Sequence, residues 1–287
     1  MSKKWINVDD LDNDKKLELV NELTDGMFQT PTKRIQFVPL ATYADEAKDL
    51  IKNWGKQQGF LTGISAIDDL TYGMVKGELI ILAGTPGVGK SAMIANLAIN
   101  FSLKNTLVGI LNLEIKNGHL AGRIGKAYSD WENLPIIVQQ IEEDQVISTK
   151  DVIPAVRELA EQGCEIIIVD YLQMLALNSD EEYREVSNVV RSLKSMAVNN
   201  NILVIAISSL NRSRDDKELS MKALHGSGKI EFFADIIMFL ERDEDRMFIK
   251  IVKNRNRKYD YKDDKRYLIF DGSTFMTETE SIPEQFL

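Results

Sequence analysis

The chain has 287 residues, 44% of them hydrophobic and 28% charged, which supplies one large α/β core with a small appendage and marks it as globular and soluble. A formal net charge of −9 and a pI near 5.0 argue against a protein that coats nucleic acid over its whole surface, while leaving local contact open. No stretch reaches the roughly 18 apolar residues of a membrane span, the opening MSKKWINVDD has no apolar signal core, and the single Cys164 excludes an internal disulfide and suits a reducing cytoplasm.

Residues 1–58 read as an extension separate from the main domain, 59–287. Leu17, Leu19, Val20 and Leu23 suggest one short amphipathic helix, and QTPTKRIQFVPL, with Pro31 and Pro39, reads as an extended connector. A second helix is announced by Thr42, with Asp45 as a capping partner three residues on. Ala47, Leu50, Ile51 and Trp54 then share one face. The segment is too small for its own core, so this apolar stripe requires cover from the main domain or from a neighbouring subunit; the neighbour is the favoured expectation.

GFLTGISAIDDLTYGMVKG (59–77) is a turn-rich approach anchored by Ile64, Ile67 and Leu70. Next comes LIILAGTPGVGKSAMIANLAINF, an apolar strand running into a glycine-rich turn and then into a helix with Met93, Ile94, Leu97, Ala98 and Phe101 at helical spacing. Gly84, Gly89, Lys90 and Ser91 satisfy G-x-x-x-x-G-K-[ST], the Walker A phosphate loop. Gly84, Thr85, Pro86, Gly87, Val88 and Gly89, with Lys90, Ser91 and Ala92 at the helix start, form the expected nucleotide cradle. Glycines let backbone N–H groups close on phosphate oxygens, Lys90 reaches the β- and γ-phosphates, and the Ser91 hydroxyl ligates Mg²⁺.

Short runs rich in Ile, Val and Leu follow at 107–113, 165–169, 202–207, 236–240, 247–252 and 267–270. Helical patterns at 90–104, 118–129, 149–162 and 183–199 are interleaved among the earlier ones. This alternation predicts an α/β fold with a mostly parallel central sheet flanked by helices. The later strands, joined by tight turns such as ERDED, are expected to be antiparallel or mixed. The closing ETESIPEQFL reads as a fraying tail.

Several polar residues stand where a hydrolase needs them. Asp170 ends CEIIIVD, and an acid at that end of a buried parallel strand faces the ligand crevice, as an Mg²⁺-associated carboxylate must. Glu114 ends LVGILNLE and is the best placed carboxylate to polarise water. Ser208 closes ILVIAIS and Ser209, Asn211 and Arg212 follow it, either as a γ-phosphate sensor or as a plain polar loop. Lys253 and Arg255, two apart in IKIVKNRNRK, share one strand face; they reach a phosphate bound at an adjoining subunit or are solvated strand charges. The basic cluster they open continues through Arg257, Lys258, Lys262, Lys265 and Arg266. It fits a basic channel or subunit seam in an acidic molecule, and equally an ordinary solvated hairpin.

In order, the segments GFLTGISAIDDLTYGMVKGELIILAGTPGVGKS, LNLEIKNGHLAGR, IIIVDYLQML, SSLNR, GSGKIEFFAD and IVKNRN resemble the RecA-like ATPase domain of DnaB-type replicative helicases. The resemblance covers about residues 45 to 272 and implies a homohexameric ring that hydrolyses ATP with Mg²⁺ and translocates on single-stranded DNA. It makes Lys90 and Ser91 the phosphate and metal residues, Asp170 the metal carboxylate and Glu114 the catalytic base. Lys253 and Arg255 become the pair that reaches across the subunit interface, Arg255 as the arginine finger. Residues 42–56 become a linker helix that docks on the neighbour, and the loop from His225 and Gly226 to Gly228 and Lys229, with Arg212 in SSLNR, a DNA-backbone contact.

Three departures stand out. Ser209 occupies a glutamine position of the family, His225-Gly226 replaces Arg-Glu, and Arg257 replaces a glycine. The helical N-terminal domain that commonly meets primase has no counterpart, so a short phage or mobile-element helicase is the nearer expectation, with a loader or primase as a further partner. Two other readings remain. One is an assembly or regulatory ATPase of the RecA, KaiC or RadA kind; the other is a non-enzymatic partner of another helicase, which would have no need of Lys90, Glu114, Asp170 and Arg255 together.

Overall fold

The computed structural model describes residues 38–52, 59–139, 149–170, 182–210, 227–243, 246–255 and 264–278. They belong to two units, divided between Lys52 and Asn53. In the first, a 3-10 turn at Leu40–Tyr43 runs into helix α1, Ala44–Lys52. The helix begins in the expected stretch without the expected cap, because Thr42 lies inside the 3-10 turn and Asp45 pairs with Lys48 at 2.8 Å. Val38, Leu40, Tyr43 and Ile51 are exposed. The predicted helix at 17–23, connector residues 29–37 and Trp54 lie outside the described residues.

The second unit is built on alternation of period two. In strand β1, Leu79–Gly84, Ile80 and Leu82 face one apolar cluster while Leu79, Ile81 and Ala83 face another. A strand buried on both faces needs this continuous apolar run. The first cluster is filled by helices α2 (Ser65–Thr71), α3 (Lys90–Ser102) and α4 (Asn117–Ala127). The second is filled by α5 (Thr149–Glu161), α6 (Glu182–Asn200) and α7 (Ser227–Phe233).

The remaining strands are β2 (Val108–Asn112), β3 (Ile136–Val138), β4 (Ile166–Asp170), β5 (Leu203–Ser209), β6 (Ile236–Asp243), β7 (Arg246–Asn254), β8 (Arg266–Phe270) and β9 (Phe275–Thr277). They join β1 in one sheet of order β3-β2-β4-β5-β1-β6-β7-β8-β9. Pairing is parallel from β3 to β6 and antiparallel from β6 to β9, the mostly parallel α/β sheet that the sequence predicts. Short elements β3, β9, α2 and α7 were not expected. Among the described residues no helix is long and apolar enough to cross a membrane. Cys164 is buried, and desolvation pushes its thiol up to about 11.

One irregularity decides where two functional candidates point. In β7, Ile251 faces Met238 and Lys253 faces Ile237, so Val252 is an extra residue that shifts the register. Ile251 packs into the first cluster, whereas Val252 packs against the second. The bulge therefore turns Lys253 and Arg255 to the α7 side of the sheet.

Candidate active site

The parallel strands all end at one edge of the sheet, where a ligand crevice forms in folds of this type. Chain geometry makes β1 stop there at Gly84. A Cβ on this residue would meet Leu240 O at 2.6 Å and Val88 Cγ1 at 2.8 Å, so only glycine lets the loop pass so close to β6. Gly87 and Gly89 hold positive φ (77° and 110°), a conformation costly for other L-residues. Pro86 and Gly87 are exposed, Val88 is buried, and Val88 N–H donates to Thr85 O at 3.3 Å. Gly89 caps α3, and Phe275 of β9 and Met247 of β7 lie beside it. Asn96 of α3 ties down the β8–β9 turn, donating to Ser273 O at 2.8 Å and accepting from Phe275 N–H at 2.7 Å.

Lys90 and Ser91 open α3 at the end where helix N–H groups and dipole favour anions. Lys90 Nζ donates to Gly84 O at 2.8 Å and Thr85 O at 3.0 Å. Burial lowers its pKa, and the nearby Glu114 and Asp170 charges oppose that shift. Ser91 Oγ donates to Glu114 Oε2 at 3.3 Å, and Ala92 packs against the first apolar cluster.

Asp170 is the last residue of β4, paired with Asn112 of β2, and 3% exposed. Desolvation pushes its carboxyl up to about 6, the Glu114 charge adds to the rise, and Ser91, Lys90 and Arg123 partly offset it. Among the described residues its Oδ1 atom has no hydrogen-bond donor. A buried carboxylate oxygen left this way, beside a serine hydroxyl and a second carboxylate, suits a hard cation with oxygen ligands. Among the described residues no three His, Cys, Asp or Glu converge to hold a metal by themselves, so such a cation would complete its shell with phosphate oxygens and water.

Glu114 sits in the turn after β2, and that turn is clasped by amides. Asn112 Nδ2 donates to Ile115 O at 2.7 Å and to Asn117 Oδ1 at 2.8 Å. Gln139 Oε1 accepts from Asn112 N–H at 2.8 Å, Gln139 Nε2 donates to Asn112 O, and Asn117 Nδ2 donates to Gln139 O at 2.6 Å. Ser209 ends β5 directly beside Gly84, and Leu210 N–H donates to Gly84 O at 3.1 Å. The phosphate loop, Glu114, Asp170 and Ser209 are thus brought together.

Lys253 and Arg255 lie elsewhere. Gly84 pairs with Leu240 and Leu240 with Ile249, whereas Ile80 pairs with Ile236 and Ile236 with Asn254. Arg255 therefore follows the opposite end of the sheet, about 15 Å from its own phosphate loop at about 3.3 Å per residue. Lys253 Nζ donates to Glu231 O and to Ala234 O at 2.6 Å, at the end of α7. Burial and the Arg255 charge lower its pKa, opposed by Asp235 and Glu231. Arg255 is 45% exposed, and its Nη2 donates to Phe232 O at 2.6 Å.

Gly228 and Lys229 stand in the first turn of α7; Arg212, His225 and Gly226 lie outside the described residues. Of the late basic cluster, Lys265 pairs with Asp243 at 3.1 Å and Arg266 with Asp264 at 2.7 Å. Sequence reasoning missed Arg123 on α4 and the Asn112–Asn117–Gln139 clasp. Arg123 was visible as the cation closing LNLEIKNGHLAGR, whereas the clasp depends on β3, too short to leave a pattern.

Comparison with known proteins agrees with this geometry. The profile of the DnaB-like helicase C terminal domain matches residues 59–132 and 122–269. Similar curated proteins include the replicative DNA helicase DnaB of Geobacillus stearothermophilus, 33% identical over 78% of this chain and 55% of that protein. Another is the replicative DNA helicase DnaC of Bacillus subtilis, 31% identical over the same shares, 78% and 55%. The chain thus spans about half the length of the curated relatives it matches. A solved DnaB-like replicative helicase, studied with its primase interactions, shares the fold at TM-score 0.67 and 24% identity, over 88% of this chain and 69% of that one. A KaiC-like protein from Pyrococcus horikoshii shares it at TM-score 0.61 and 16% identity, over 77% and 98%. By the matched profile and its ordered motifs, the chain belongs to the DnaB-like helicase C-terminal domain family.

Proposed function

We propose that this chain is the motor of an ATP-driven DNA helicase that works as a homohexameric ring on single-stranded DNA during replication. The observation that carries the reading is the separation of two half-sites on one sheet. The phosphate loop, Glu114 and Asp170 share one end, and Arg255 follows the other. A cation that cannot reach its own loop is available to the next copy, and head-to-tail repetition of one contact closes a ring.

In this reading the loop N–H groups and Lys90 hold the β- and γ-phosphates of ATP. Ser91 and Asp170 hold Mg²⁺, which when bound neutralises charge on the phosphates. Glu114, oriented by the amide clasp, accepts the proton of the attacking water, and Ser209 senses the γ-phosphate. Arg255, with Lys253 beside it, offsets the charge that develops on a neighbour's γ-phosphoryl group. Arg212, His225, Gly226, Gly228 and Lys229 contact the DNA backbone, which suits sequence-independent movement. Residues 1–58 act as extension and linker, residues 59–287 as the ATPase domain, in the cytoplasm. Because a related structure concerns a helicase and its primase interactions, a primase or loader is the further partner class.

Family membership supports the motor over an assembly ATPase, although Ser209 in the sensor position keeps the latter a distinct outcome. The test uses Arg255→Ala and Glu114→Gln. Each alone should lose hydrolysis while retaining nucleotide, and a mixture should regain activity because each supplies what the other lacks. Full activity of Arg255→Ala alone would remove the trans site.

A further inference from the structure

The residue that holds Arg255 is Asp235, which has no part in the assignments above. It is 3% exposed and sits between α7 and β6. Its two carboxylate oxygens have different duties. Oδ2 accepts from Leu79 N–H at 2.8 Å, at the start of the strand that leads to the phosphate loop, and from Lys194 Nζ of α6 at 2.6 Å. Oδ1 accepts from Arg255 Nη1 at 3.2 Å. The backbone closes the same contact, since Arg255 N–H donates to Asp235 O at 2.8 Å. With Phe232 O on Nη2, the guanidinium is fixed along one edge while the side chain stays 45% exposed.

We infer that Asp235 is the positioning residue of the trans-acting arginine, holding the Arg255 guanidinium so that its solvent side faces the neighbouring subunit's nucleotide. This rests on the trans-finger reading of Arg255. A long side chain at the exposed end of a strand carries large rotamer freedom. A planar fork tethered by a buried carboxylate has lost most of that freedom before the neighbour binds ATP. The carboxylate is itself immobile, because Leu79 N–H and Lys194 hold its other oxygen. Asp235 thus acts through Arg255, and its loss should be felt in the next subunit's site.

Asp235→Asn tests this with little change of shape. The amide oxygen will settle where two donors need it, opposite Leu79 N–H and Lys194. That leaves the amide NH₂ facing Arg255 Nη1, donor against donor. A displaced finger of this kind should lower kcat about 100-fold, with the KM for ATP and the affinity for a fluorescent ATP analogue within about twofold of wild type. Mixed with Glu114→Gln subunits, the variant should regain hydrolysis well above the sum of the separate rates, since its own loop and base are intact. Asp235→Glu, which keeps the charge for Lys194, should show the same complementable loss and serves if the asparagine variant does not fold.

Arg255→Ala, measured alongside, separates the two claims. If it is inactive while both Asp235 variants keep wild-type kcat, the positioning role is overturned and the finger stands. Inactive Asp235 variants that Glu114→Gln cannot complement, although it complements Arg255→Ala, would also overturn it. An active Arg255→Ala would overturn the finger itself.

Discussion

Asp170→Asn should make the metal- and nucleotide-free protein more stable while destroying its function. The Asp170 carboxyl is pushed from an ordinary value of 3.8 up to about 6, chiefly by desolvation and then by Glu114. A rise of roughly two units means that ionising this group in the folded chain costs about 3 kcal/mol, at about 1.4 kcal/mol per unit. The folded pKa lies above the unfolded one. The favourable contribution of the neutral acid is therefore fully present below about pH 4 and is lost as pH rises through about 6. Asparagine imitates the neutral form at every pH. Its advantage should be absent near pH 4 and reach about 2 to 3 kcal/mol near pH 8, an increase in Tm of about 4 to 12 °C for a domain of this size. Calorimetry in a chelating buffer at both ends of that range measures it. With Mg²⁺ and ATP added, the wild type should gain stability and the variant should gain less. A variant no more stable than wild type at the alkaline end, or equally stabilised at both ends, would refute the argument that burial without a donor on Oδ1 strains this site.

Two other perturbations follow from distances and exposure. Gly84→Ala places a Cβ 2.6 Å from Leu240 O and 2.8 Å from Val88 Cγ1, so the loop must move; a stability loss of about 1 to 3 kcal/mol should accompany weaker binding of a fluorescent nucleotide, and unchanged values for both would contradict the close approach. Deleting residues 1–58 removes the 3-10 turn with exposed Leu40 and Tyr43 and helix α1 with exposed Ile51 and should lower the number of subunits per particle found by light scattering, whereas an unchanged number would show that this segment does not join subunits.

What the sequence disclosed follows the physics of each element. The run from Leu79 to Phe101 was legible because a doubly buried strand, a glycine turn and a largely buried apolar helix each leave a pattern that side-chain chemistry enforces. Glu114 and Asp170 were legible as acids at strand exits, and the fold brings both to Ser91 and Lys90. The three-residue strands β3 and β9 and the seven-residue helices α2 and α7 were not legible, because each is shorter than the window in which its own periodicity can be counted. Their absence concealed what supports the site, namely the Gln139 clasp on the Glu114 turn and Phe275 beside Gly89. Lys253 and Arg255 were expected on one strand face, and they share it. That this face is the α7 side depends on the extra residue Val252, which no alternation pattern announces. Asp235 appeared only as the last letter of GSGKIEFFAD, because its importance lies in contacts with residues 41 and 156 positions away.

An ATP-driven ring moving on DNA would be seen first in ATP hydrolysis measured with and without single-stranded DNA across a salt series, with mass followed by light scattering in the same samples. A ring motor should be a hexamer whose hydrolysis rises with DNA and whose response to DNA weakens as salt screens the backbone contacts. Hydrolysis or ATP-dependent assembly indifferent to DNA at every salt concentration would contradict it and identify an assembly ATPase instead.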